Sequence, residues 1–235
     1  MTTLARRHFL QHSAAKVASA EPEAQRAGAN AYELMLVQLA EHRRLLKGIQ
    51  SIEQKAKVKA DLLPTYSPWV KGVLETGKGE QDDVVMTVMV WSLDAGIWRA
   101  ALEIAEYAVP HGLTMPDQYQ RDTATVLAEE IAEQAIKLLA TPETAASVDL
   151  GALLQVERLV AEKDMPDEVR AKLHKAIGYS MRQNPDLEQK QLALDHLQRA
   201  VQLHDKVGVK KDIEILEREV KNFTPPSTNT GSNTP

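Results

Sequence analysis

Glu80, Asp82 and Asp83 follow a Gly77-Lys78-Gly79 loop and form the densest group of acids in any loop of the chain. Three carboxylates so placed have the hard oxygen chemistry to hold magnesium and, through it, a water for phosphodiester attack. They also make an ordinary acidic helix start, where negative charge meets the positive end of the helix dipole. We read them as a helix start, and keep Glu80, Asp82 and Asp83 as the catalytic candidates, with magnesium as cofactor, should the chain cleave nucleic acid. Pro166-Asp167 followed by Glu188-Gln189-Lys190 fits the loose PD, spacer, E-x-K string of many metal-dependent nucleases. That chemistry needs carboxylates on adjacent strands, whereas both ends of the string fall at predicted helix starts, where capping explains Asp167 and Asp186. Gly72 to Lys78 matches the first seven positions of a phosphate-binding loop, but Gly79 stands where Ser or Thr must hold magnesium. The preceding stretch carries two prolines rather than a buried strand, so no ATP site is expected.

The seven histidines are His8, His12, His42, His111, His174, His196 and His204. His8/His12 and His196/His204 have near-helical spacings without a third ligand, so no structural zinc and no bound cofactor are expected. The chain has no cysteine, which excludes disulfides, thiolate zinc sites and a cysteine nucleophile and fits a reducing compartment. No Gly-x-Ser-x-Gly elbow and no HExxH occur. Trp69, Trp91 and Trp98 lie on or beside apolar faces and read as core rather than as base-stacking platforms.

The cations form a clearer pattern. Residues 1–60 hold ten Lys and Arg against five Glu, a balance of +5, while residues 61–235 hold 18 against 28, a balance of -10. The overall charge of -5 and pI of 5.8 therefore hide a basic N-terminal quarter on an acidic body. Arg6, Arg7, Arg43, Arg44, Lys47, Lys55, Lys57 and Lys59 are the candidate contacts to DNA phosphates.

The elements that must carry these residues are helical, because no segment alternates as a strand and the fold class is all-α. From Asn30 to Leu63 a 4,3 spacing runs through Met35, Leu39, His42, Leu46, Ile49, Glu53, Ala56 and Ala60. This predicts one long basic helix over 30–63, about 50 Å at about 1.5 Å per residue, and a possible coiled coil. The six basic residues from Arg43 to Lys59 fall off that seam. Pro64 and Pro68 are expected to end it in an extended connector, with a short helix from Trp69 to Glu75. Further helices are predicted over Asp82–Leu93, Ile97–Ala108, Tyr119–Ala140, Gly151–Glu162, Asp167–Gln183, Asp186–His204 and Val209–Lys221, with Gly and Pro between them. Ala193, Leu197 and Ala200, and the run Ala101 to Ala108, give the hairpins a tetratricopeptide-like character, without a fixed period. The organisation read from this is a flexible basic arm (1–29), the basic helix (30–63), an acidic helical body (64–222) and a disordered, uncharged tail (223–235). No run is apolar enough to span a membrane, and Lys16 with His12 and Ser13 breaks up the only stretch that resembles an export signal.

Several stretches carry a family resemblance: YELMLVQLA (Tyr32 to Ala40), LLPTYSPWVKGVLETGKGEQDDVVMTVMVW (Leu62 to Trp91), YAVPHGLTMP (Tyr107 to Pro116), DMPDEVRAKLHKAIG (Asp164 to Gly178) and ALDHLQRAVQLHDKVGVKKDIEILEREV (Ala193 to Val220). In these the chain resembles the terminase small subunits of temperate cohesive-end, contractile-tailed phages, the M protein family termed terminase endonuclease subunits. The resemblance implies a subunit that binds the packaging (cos) site of concatemeric double-stranded DNA in the host cytoplasm. It implies recruitment of the large ATPase subunit for cutting and packaging into the procapsid, and a homo-oligomeric ring. The alternative it implies is a metal-dependent endonuclease that itself cleaves the packaging site. The residues alone show no catalytic centre, no motor motif and no helix-turn-helix. Members of the family end in a Lys/Arg-rich tail; this chain ends neutrally from Phe223 to Pro235.

Overall fold

A computed structural model describes residues 3–18, 25–116 and 121–223, with side chains for 3–15, 31–116 and 121–223. Among them are eleven helices and no strand. In chain order they are α1 (Leu4–Ala18), α2 (Gln25–Lys47), α3 (Ile52–Thr76), α4 (Asp83–Asp94), α5 (Trp98–His111), α6 (Thr123–Leu139), α7 (Pro142–Ala145), α8 (Leu150–Leu159), α9 (Asp167–Met181), α10 (Leu187–Leu203) and α11 (Lys210–Lys221). The all-α class expected from the sequence is the class observed. The neutral tail, expected to be disordered, lies outside the described residues beyond Phe223.

The centre of the fold is α4. Every residue from Val84 to Leu93 is buried, which fits a helix apolar on all sides. It packs against α2, α3, α5 and α6. α1 and α2 cover the N-terminal side and α6 and α9 the other, with α10 paired to α9 and α11 to α10. The buried side chains of both sides form one continuous apolar cluster.

Three expectations for the N-terminal region are corrected. The single helix over 30–63 is two helices, because α2 ends at Lys47 and α3 begins at Ile52. Ser51 is extended (φ -68°, ψ 125°) and its hydroxyl accepts from the Gln54 amide at 3.2 Å. Ser51-Ile52-Glu53-Gln54 is the S-x-x-Q signature of a helix start, and it overrides a spacing that continues on either side. The seam of α2 faces this chain's own core through buried Met35, Leu39 and Leu46, so it is not a coiled-coil face. His42 is tolerated there because its Nδ1 lies 2.7 Å from the Tyr66 hydroxyl.

Pro64 and Pro68, expected to end a helix, lie inside α3. An interior proline costs about 3 kcal/mol through a lost hydrogen bond and a clash. The cost is offset because the helix buries Leu63, Tyr66, Trp69, Val70 and Val73 around and beyond the prolines, each contributing about 1.5–3 kcal/mol. Residues 4–18, expected to belong to a flexible arm, form α1, packed along α3. Gly72 makes this packing possible, since a Cβ there would lie 2.3 Å from the Gln11 carbonyl oxygen and 2.8 Å from the Ala14 Cβ. Gln11 Nε2 donates to Glu75 (2.9 Å), and the Thr76 hydroxyl donates to the Ala15 carbonyl (3.2 Å), closing the same contact.

In the C-terminal half, α9 and α10 form the tightest hairpin. A Cβ on Gly178 would meet Leu197 Cδ2 at 2.7 Å and the Ala193 carbonyl at 3.0 Å, so small residues let the backbones close up. The described helices range from 4 to 25 residues. α11 buries little beyond Leu216 and is held by Asp212, which accepts from Tyr179 (2.8 Å) and Arg182 (2.6 Å) on α9.

Candidate nucleic-acid interface

The start of α4 fixes the place of the acidic candidates. Asp82 is its N-cap: one carboxylate oxygen accepts from the Val84 and Val85 amides, both at 2.9 Å, and the other accepts from Trp69 Nε1 at 2.9 Å. The residue is 5% exposed, and burial raises its pKa above the ordinary carboxylate value against the lowering effect of these three donors. The Tyr32 hydroxyl accepts from the Asp83 amide at 3.1 Å, and the Tyr32 ring stacks on Trp69 at 5.7 Å, tying α2 to the same corner. Burial, then the neighbouring Asp82 charge, raises the Tyr32 pKa to about 12. Glu80 and Asp83 are exposed while Asp82 faces inward, so the three acids do not converge on one point accessible to an ion.

Gly72, the first glycine of the loop-like match, is a packing glycine in mid-helix, and Gly79 (φ +90°) donates its amide to the Tyr107 hydroxyl at 2.8 Å. The nuclease-like string is also split. Asp167 opens α9 and Glu188 lies in the first turn of α10. In a hairpin these starts sit at opposite ends, separated by the length of α9, roughly 20 Å for a helix of this size.

The basic candidates divide into two sets. Arg43 Nη2 donates to Thr87 Oγ1 on α4 at 2.7 Å, Lys59 pairs with Asp94, and Lys57 pairs with Glu53 at 2.6 Å one turn back. Arg43 and Lys59 thus bind the N-terminal helices to the body. Arg6, Arg7, Arg44 and Lys47 are exposed and Lys55 is half-buried, and among the described residues these five form no ion pair. Arg6 borders one groove with Phe9, Leu34, Val37 and Glu41, and Arg44 follows Glu41 by one turn of α2. Arg44 thus lies toward the Arg6 side of α2, and Lys47 stands at its end, before the start of α3. The two helices also expose Phe9 (56%), Leu34 (64%), Val37 (59%) and Leu45 (54%).

A family profile described as "Phage small terminase subunit" matches residues 36–168. The chain belongs to that family. "Terminase, endonuclease subunit" of Escherichia phage P2 is 51% identical to it over 221 residues, 94% of this chain and 87% of the relative. "Probable terminase, endonuclease subunit" of Haemophilus phage HP1 (strain HP1c1) is 25% identical over 196 residues, 79% of this chain and 69% of the relative. No solved structure matches.

Membership places this small terminase subunit in phage DNA packaging. No described helix is long and apolar enough to cross a membrane. Two features of this small subunit escaped sequence reasoning. Thr87 gave no sign of binding Arg43, because a hydroxyl on a buried helix carries no sequence mark of its partner. His174 and His196 face each other across the α9–α10 hairpin beside Glu157, a grouping that helical spacings could not propose. A signal existed, since the two histidines lie eleven residues on either side of Pro185, which sits in the turn between the helices.

Proposed function

We propose that this small terminase subunit binds the packaging (cos) site of concatemeric phage DNA through Arg6, Arg7, Arg44, Lys47 and Lys55. Bound there in the host cytoplasm, it recruits the large ATPase subunit for genome cutting and packaging. The observation that carries the reading is that, among the described residues, these five cations on α1, α2 and the start of α3 form no ion pair, whereas Arg43 is held by a hydrogen bond to Thr87 and Lys59 by an ion pair to Asp94. Exposed Phe9, Leu34, Val37 and Leu45 on α1 and α2 support assembly into a homo-oligomer that brings the basic residues of several copies together. Each phosphate contact releases counterions, so five per protomer give a slope of log K against log[salt] of roughly -4 to -5. Fluorescence anisotropy on a packaging-site duplex between 50 and 200 mM salt tests this, for the chain and for Arg44→Glu/Lys47→Glu. A variant that keeps both affinity and slope refutes the assignment.

A second reading rests on the names of the two relatives, both of which say "endonuclease subunit". On it the chain cleaves the packaging site itself, with magnesium on Glu80 and Asp83 at the mouth of α4. Nicking of packaging-site DNA by the isolated chain, lost in Asp83→Ala with folding intact, would establish it. No nicking in the absence of the large subunit rejects it.

A further inference from the structure

Glu157 on α8, His174 on α9 and His196 on α10 bring three donor atoms to one place. His174 Nδ1 lies 3.0 Å from His196 Nδ1, and Glu157 Oε1 lies 3.4 Å from the first and 3.7 Å from the second. Hydrogen bonding accounts for only one side of this triangle, since 3.4 and 3.7 Å are too long for N–H to carboxylate contacts. The spacing fits ligands around one ion better. A point equidistant from the three atoms lies about 2.0 Å from each, which is the bond length of zinc to histidine nitrogen and carboxylate oxygen. Tetrahedral ligands at that bond length stand about 3.3 Å apart, close to the mean of the three sides. The imidazole centroids are 5.2 Å apart, farther than the two nitrogens, so the Nδ1 edges face each other.

We propose that Glu157, His174 and His196 form a binding site for a divalent transition metal of the zinc class, which fastens α8 to the α9–α10 hairpin and leaves a fourth coordination position open. Two imidazoles and one carboxylate suit zinc, cobalt or nickel rather than magnesium, which demands six oxygens and keeps its waters. The histidine side chains are 15% and 16% exposed and that of Glu157 30%, largely enclosed yet in reach of solvent, as an exchangeable fourth ligand requires. The charges of Arg199 and Arg170 reach His174. Those arginines oppose a cation, but Arg170 is turned away, donating to the Lys163 carbonyl at 2.7 Å. The site is independent of the DNA-binding residues on α1 to α3, and the inference stands or falls apart from the proposed function.

The test uses the full chain, stripped with a chelator and returned to pH 7.5. Titration with zinc chloride by calorimetry is expected to show one saturable site per chain. Cobalt(II) is expected to give the visible absorption bands of a low-coordinate N/O complex. Exposed His8 and His12 stack on one face of α1 and are the competing pair, so His8→Ala/His12→Ala must keep the site. His174→Ala and His196→Ala are each expected to weaken zinc at least tenfold. Glu157→Gln, which preserves shape and so folding, is expected to do the same and to shift the cobalt spectrum. Absence of saturable zinc binding by the folded chain overturns the proposal, as does zinc binding that survives Glu157→Gln and His196→Ala while disappearing in His8→Ala/His12→Ala.

Discussion

Replacing Asp82 by alanine separates a structural carboxylate from a catalytic one. The substitution removes the N-cap of α4, whose loss costs about 0.5–2 kcal/mol. It also strands the Trp69 indole N–H in a buried site, for roughly another 1–3 kcal/mol. Relief of a buried charge returns part of this, leaving about 2–3 kcal/mol, or about 5–10 °C in Tm for a chain of this size. Asp83, one residue on and exposed, should cost less than about 1 kcal/mol through the helix dipole alone. Asp82→Asn keeps an acceptor for Val84 and Val85 but sets an N–H donor against that of Trp69, and should fall between the two. The pH dependence follows from the raised pKa of Asp82: the folded state holds the proton more tightly than the unfolded state. This group's contribution is therefore greatest below the unfolded value of about 4 and is lost as pH rises through the folded one. The wild type should accordingly lose ground to Asp82→Asn as pH rises through that window. Thermal and denaturant unfolding followed by circular dichroism, with Trp fluorescence for the indole, measures each quantity. A Tm for Asp82→Ala within about 2 °C of wild type would refute the reasoning. If the predicted loss is found, inactivity of Asp82→Ala says nothing about a metal ligand, and only Asp83→Ala and Glu80→Ala bear on cleavage.

Arg44→Ala/Lys47→Ala should flatten the salt slope of DNA binding by about 2 per protomer with Tm nearly unchanged, whereas Arg43→Ala should lower Tm and leave the slope alone, because its guanidinium is bound to Thr87. Gly72→Ala should destabilise by about 2 kcal/mol or more and free α1 for proteolysis, since its Cβ would strike the Gln11 backbone. Gly178→Ala should cost less, because it first meets the Leu197 side chain and reaches backbone, the Ala193 carbonyl, only at 3.0 Å, against 2.3 Å at Gly72. Asp212→Ala should raise hydrogen exchange across Lys210–Lys221 while the α4 amides stay protected. Burial works against the Asp212 charge, but the hydrogen bonds from Arg182 and Tyr179 outweigh it and hold the pKa below the ordinary value, so α11 should also loosen in acid as pH falls through that lowered value.

What could be read from sequence divides along one physical line. The helices from α4 onward, apart from the one-turn α7 that starts at Pro142, were legible because Gly, Pro and capping acids mark their ends; Asp82, expected at a helix start, caps α4 in place. The N-terminal third was misread where tertiary burial outweighs local preference, as at Pro64 and Pro68, or where a single capping serine, Ser51, outranks a continuous apolar spacing. The basic residues were visible as a charge excess, but the division between Arg43 and Arg44 was not, since it depends on what faces each side chain. The Glu157, His174 and His196 grouping required the hairpin turn, because its members are up to 39 positions apart and share no helix.

The two prolines of α3 have one more consequence. Without amide hydrogens at Pro64 and Pro68, the carbonyls of Ala60 and Pro64 lack the rungs a regular helix would supply, at the point where α3 passes from solvent into the core. The outer half, with Lys55 and Lys57, is thereby coupled less stiffly to the docked half that carries Tyr66 and Trp69. On the DNA-binding reading proposed above, a helix softened at that boundary lets its first turns, before the Lys59–Asp94 ion pair that ties it to the body, adjust to a duplex while the core beneath keeps its shape.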